Sequence, residues 1–208
     1  MRTVRALYRG LEALYGDSGV DPVDYIELFD AAEGRGRELV VLREADDGAL
    51  EVTMALDRGV VERLEAREPA EALGDAALGD ALPVIEGLSH LLYIVEAARR
   101  ERPVSGLELE TQAEVDKLAL CLLHRRGEAR DRYADLCERL FHRFALAADL
   151  DAPLRERYET ANRVALAFAR RLGRWVGERR WGPLRRHLHA FWAAGLGDKV
   201  AMSRALAR

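Results

Sequence analysis

Apolar residues at the start of the chain recur three and four positions apart: Val4, Leu7, Tyr8, Leu11, Leu14 and Tyr15, with Arg5, Arg9 and Glu12 opposite. That spacing follows the helical turn and predicts an amphipathic helix stopped by Gly16. Asp21 then reads as an N-cap with Pro22 at the first helical position, opening a short helix through Ile26 and Phe29.

The period changes from residue 38. ELVVLRE (38–44), the turn residues DDG (46–48) and ALEVTMAL (49–56) predict a β-hairpin. In its second strand Leu50, Val52, Met54 and Leu56 alternate with Glu51, Thr53 and Ala55, so one face is buried and the other is wet. A lone hairpin is marginal in water, so that apolar face must lie on helices. Asp57 caps a short helix containing Val60, Val61 and Leu64, and the Ala/Gly-rich stretch that follows reads as a linker.

From about residue 81 the pattern is helical. One helix runs from near Asp80 to Arg102, stopped by Pro103. Ser105 and Glu108 form a capping box for the next, which reaches about Arg126. A third covers roughly 128–148, with Tyr133, Leu136, Leu140, Phe141 and Phe144 inward. Asp151 and Pro153 open a fourth, WGP (181–183) breaks the chain, and a last helix or a broken pair follows from Leu184, interrupted by Gly195-Leu196-Gly197. The expected fold class is α+β, predominantly α-helical: a portion with the hairpin (1–68), a linker (69–80) and a helical bundle (81–208), which could form one continuous domain.

Two polar stripes interrupt the apolar faces of the bundle. On the 81–102 helix the arc opposite Leu88 and Leu92 holds Glu86, Ser89, His90, Tyr93 and Glu96, without an arginine before Arg99. On the 105–126 helix the stripe is Glu110, Glu114, Lys117, Cys121 and His124. A short connection would make the two helices antiparallel neighbours. If the stripes face each other, Glu86, His90 and Glu114 have the donor types for a divalent metal. Lys117 and Glu114 would then be the pair for acid–base work, each shifting the other's pKa in a dry site. The alternatives are stripes that face water, or a satisfied salt-bridge network that fixes helix register. Asp116 and Gln112 fall inside the apolar arc, and a buried aspartate needs a partner; Arg132 or Arg139 could supply one.

Charge is divided unevenly along the chain. Residues 1–104 carry 12 basic and 22 acidic side chains, net −10, whereas residues 105–208 carry 20 and 14, net +6. In 170–192 arginines interleave with tryptophans, which marks Arg174, Trp175, Arg179, Arg180, Trp181, Arg185 and Arg186 as a contact surface. Arginine outnumbers lysine 30 to 2, the pattern of a GC-rich genome, which weakens the case for nucleic acid, as does the pI near 5.8. The two cysteines, Cys121 and Cys137, sit in leucine-rich patterns and read as structural thiols. No phosphate-binding loop, dinucleotide fingerprint or G-x-S-x-G elbow occurs.

The sequence therefore predicts a cytoplasmic accessory protein, without a membrane span or signal peptide, that binds a protein partner or a second copy of itself through this basic surface. The first alternative is a metal-dependent or acid–base enzyme built on the polar stripes; the second is a nucleic-acid-binding protein.

Overall fold

The computed structural model describes residues 1–31, 38–44, 50–125, 127–143, 146 and 150–204. The predicted hairpin turn (46–48), Arg126 and Phe144 lie outside them. The fold is α+β and mostly helical, as the periodicity predicts, with eight α-helices and a three-stranded sheet among the described residues. These elements form two compact units, one of residues up to Arg102 and one from Pro103 onward. The division between these units falls at the turn after the long apolar helix. Ala72, Leu73 and Ala77 are buried, because small side chains let the Ala/Gly-rich stretch pack closely rather than span a gap.

In the first unit, α1 (Arg2–Tyr15) buries Val4, Leu7, Tyr8, Leu11 and Leu14, the stripe read from the sequence. Its first amides are capped from α2 (Arg58–Glu65): the Glu65 carboxylate accepts from Arg2 N at 2.7 Å and Val4 N at 2.9 Å. The short helix expected through Phe29 is instead a 3-10 turn, Pro22–Tyr25, followed by strand β1, Ile26–Phe29. Asp21 still caps that turn. IELF alternates as a strand does, but its pairing is with β3 (Leu50–Asp57), parallel and distant in sequence. β2 (Glu38–Glu44) joins β3 antiparallel, giving the order β1-β3-β2. Asp57 caps α2 by accepting from Val60 N at 2.8 Å.

The centre of this unit is α3 (Leu78–Arg99), against which α1, α2, β2 and β3 all pack. Among the described helices it alone has the length and hydropathy of a membrane span, but 67% of its most apolar window is buried within the fold. It has the composition of a core helix.

In the second unit, α4 (Gly106–His124), α5 (Ala129–Cys137), α7 (Trp181–Ala193) and α8 (Leu196–Arg204) surround α6 (Ala152–Gly177). Ser105 caps α4 and Asp151 caps α6, both as expected. The expected helix over 128–148 ends at Cys137 and continues as a π-helical turn, Glu138–His142. WGP opens α7 rather than breaking the chain, since a proline in the first turn forfeits no intrahelical bond. The break comes earlier, at Arg179, whose φ of +53° is left-handed. Ala161, Ala165 and Ala169 are wholly buried on α6, and Phe168 stacks on Phe191 with centroids 4.1 Å apart.

Candidate functional site

The polar stripe on α3 does not face water: Ser89, His90 and Tyr93 are all buried. What meets it within the first unit is the hairpin. Opposite residues on antiparallel strands share a face, so Glu38 lies on the side of its partner Leu56, and Val40 on that of Met54. Both Met54 and Leu56 are completely buried. Gly87 lets the hairpin come close to α3. A Cβ there would stand 2.5 Å from Met54 Sδ and 3.2 Å from Glu38 Cγ.

One turn of backbone beyond Gly87, His90 Nδ1 stands 3.4 Å from Glu38 Oε1, with side-chain exposures of 6% and 7%. A charge-assisted hydrogen bond prefers about 2.7–2.9 Å, so this is a loose pair. Two ligands on a tetrahedral ion, with bonds of about 2.0–2.2 Å, stand about 3.3–3.5 Å apart. Glu86, four residues before His90, places a carboxylate oxygen within 4.8 Å of a ring nitrogen. Within the first unit His90 thus has Glu38 at Nδ1 and Glu86 within 4.8 Å of a ring nitrogen; imidazole and carboxylate are donor types suited to zinc, manganese or iron(II).

Glu114 and Lys117, the other half of the predicted cluster, belong to the second unit. There Lys117 Nζ donates to Glu114 Oε1 at 2.8 Å, with side-chain exposures of 9% and 15%. Glu110 and Cys121 on the same stripe are buried, and His124 is exposed. Hence neither predicted stripe is a solvated face along its central part.

The buried aspartate has a partner that the sequence did not suggest. Gln112 Nε2 donates to Asp116 Oδ1 at 2.8 Å, and Gln112 Oε1 accepts from Lys199 Nζ at 2.5 Å. All three side chains are wholly buried. The ammonium also donates to the Phe191 carbonyl at 2.6 Å and lies 4.5 Å from the centroid of that residue's ring. With no exposed atom surface, this network ties α8 to α4 and to the end of α7. It anchors these helices to one another.

The predicted contact surface occupies the end of α6, the turn and the start of α7. Arg174, Arg179, Arg180 and Arg186 are exposed, while Trp175, Trp181 and Arg185 are half-buried. Arg174 and Arg180 hold their guanidinium carbons 5.1 and 4.8 Å from the Trp175 ring centroid, within cation–π range. His187 tilts against the same ring at 5.4 Å. Glu178 accepts from Arg174 Nε at 3.2 Å and from Arg180 at 3.3 Å. Those bonds, to Arg174 first, hold its carboxyl below the usual glutamate value.

No protein-family model, curated protein or solved structure matches this chain.

Proposed function

We propose that the protein is a divalent-metal protein whose centre is His90, with Glu38 and Glu86 as the carboxylate ligands. The 3.4 Å separation between two buried, ligand-type atoms carries this reading. The imidazole and carboxylates would bind the ion, and a remaining coordination position would hold water or a substrate oxygen, as in metal-assisted hydrolysis or redox chemistry. This reading takes Glu38 in the place that the sequence analysis gave to Glu114.

The test is metal content. Protein made without a chelating tag, dialysed against Zn(II) or Mn(II) and then against buffer, should retain about one ion per chain. His90→Ala should abolish retention, and Glu38→Gln should weaken it by about ten- to a hundredfold, the range for disturbing a metal shell. Retention that both variants leave intact would exclude this centre.

A second reading rests on the arginine-flanked Trp175: the basic surface would dock an acidic protein face. Residues 1–104, with net charge −10, make a second copy of the chain a suitable occupant. Sedimentation across a salt series would test it. Reversing Arg179, Arg180, Arg185 and Arg186 to glutamate should abolish association; an unchanged oligomer size would count against the surface.

A further inference from the structure

The large apolar side chains left exposed among the described residues are gathered on one strand. Leu39, Val41 and Leu42, between 39% and 58% exposed, all belong to β2, and β2 is the edge of the sheet. Leu39 and Val41 share the sheet face of their partners Ala55 and Thr53, whereas Leu42 lies on the face of Val52. Apolar residues on both faces are the composition of a strand covered on both, yet β2 has a neighbour on one side only. An edge strand directs a row of backbone N–H and C=O groups away from the sheet, ready to pair with another extended chain.

Proteins block such edges with proline, lysine or a bulge. None is present here: 38–44 contains neither residue, and it pairs with β3 one to one from Glu38↔Leu56 to Glu44↔Leu50. Charge is confined to the ends of the strand, which leaves residues 39–42 as an uninterrupted apolar edge.

The charge around this edge selects its occupant. The three strands carry five acids, Glu27, Glu38, Glu44, Glu51 and Asp57, against one base, Arg43, for a net charge of −4. Glu27 and Glu51 are exposed on the sheet face of Leu39 and Val41, and neither has an ion-pair partner among the described residues. A second copy of β2 is a poor match. Aligned antiparallel over all seven residues, it would set Glu38 opposite the other copy's Glu44 at both ends, and like charges so placed repel. An extended segment with alternating apolar side chains, and lysine or arginine between them, suits both the apolar edge and its negative surroundings.

We propose that β2 is a docking edge for an extended, basic segment of a protein partner, which adds to the sheet as a fourth strand beside residues 39–43. The contact uses the backbone edge of β2 with the side chains of Leu39 and Val41, so it stands or falls independently of metal at His90 and of the surface around Trp175.

The test is titration of the full chain against a fluorescein-labelled nine-residue peptide in which valine alternates with lysine and threonine, read by anisotropy. Saturable binding that weakens as salt rises is expected. The same peptide with glutamate in place of lysine should bind about tenfold more weakly or not at all. N-methylation of alternate peptide amides, which removes the ladder donors and leaves the side chains, should abolish binding. Leu39→Thr with Val41→Thr keeps strand-forming residues and should weaken binding by about fivefold or more. Glu27→Gln with Glu51→Gln should weaken it and flatten the salt dependence. Circular dichroism checks that each variant folds. Equal binding of the basic and acidic peptides, or indifference to N-methylation or to the Leu39/Val41 pair, would overturn the assignment. So would a dimer in sedimentation that the Leu39/Val41 pair dissolves, since the edge would then belong to a second copy.

Discussion

Lys199 of α8 donates to the carbonyl of Phe191, eight residues earlier, and so closes the turn between α7 and α8 with a fully buried ammonium. The same nitrogen reaches Gln112, which in turn holds Asp116. Removing one member of a buried charged network strands the others in a low dielectric. Lys199→Met should therefore cost about 3–5 kcal/mol, measured by chemical denaturation. Replacing Lys199, Gln112 and Asp116 together with methionine or leucine should recover most of that loss. A triple variant no more stable than the single one would show that the network does more than satisfy itself.

Gly87 offers a way to separate the cation centre from general stability. Adding a methyl group brings it against Met54 Sδ at 2.5 Å and Cγ at 2.9 Å, and close to Glu38. Overpacking of this kind costs about 1–3 kcal/mol. Because the displaced hairpin carries Glu38, Gly87→Ala should also lower metal affinity. Pairing it with Met54→Ala, which removes the clashing atoms, should restore metal affinity, although truncating a fully buried methionine itself costs about 2–5 kcal/mol. Metal affinity that Gly87→Ala leaves unchanged would detach Glu38 from the ion.

Tyr8 gives a pH dependence with a definite sign. Its hydroxyl donates to Ser18 Oγ at 3.0 Å, and burial pushes its pKa from 10 up to about 12. Between those values the folded state holds the proton while the unfolded state releases it, so stability falls as pH rises from 10 towards 12. A two-unit difference corresponds to about 3 kcal/mol at most. Tyr8→Phe should flatten this alkaline loss in thermal melts above pH 10. An unchanged slope would mean that other groups govern it.

How much of this was legible beforehand depends on how local each signal is. Caps at Asp57, Ser105 and Asp151 act within three residues, and all three appear as read. β1 does not announce itself, because IELF is short and finds its partner at Met54–Asp57, far along the chain. On the site, Glu86 and His90 stood out as a helical stripe, but Glu38 did not. In ELVVLRE both alternating faces are apolar, Leu39 and Val41 on one side and Val40 and Leu42 on the other. Periodicity therefore cannot say which face turns inward, and the structure leaves Leu39 58% exposed while the Glu38 side chain is only 7% exposed. Lys199 carried a compositional hint, as one of two lysines, without any sign of what it would touch.

The basic surface supplies the last test. Glu178 ties Arg174 and Arg180 together, and its carboxyl titrates below the ordinary glutamate range because both guanidiniums bond it. Its folded pKa being depressed, the tie is present above that range and is lost only as pH falls through the lowered value. Association through this face should consequently be insensitive to Glu178 titration from pH 8 down to about 5. Glu178→Gln removes the only acid among residues 170–192 and raises the net charge of that stretch from +6 to +7. Affinity for an acidic partner should rise and become more salt-dependent, while Trp175 fluorescence changes as its two flanking guanidiniums lose their common anchor. Weaker association in that variant would mean that the Arg174–Glu178–Arg180 arrangement itself, rather than positive charge, is what the partner meets.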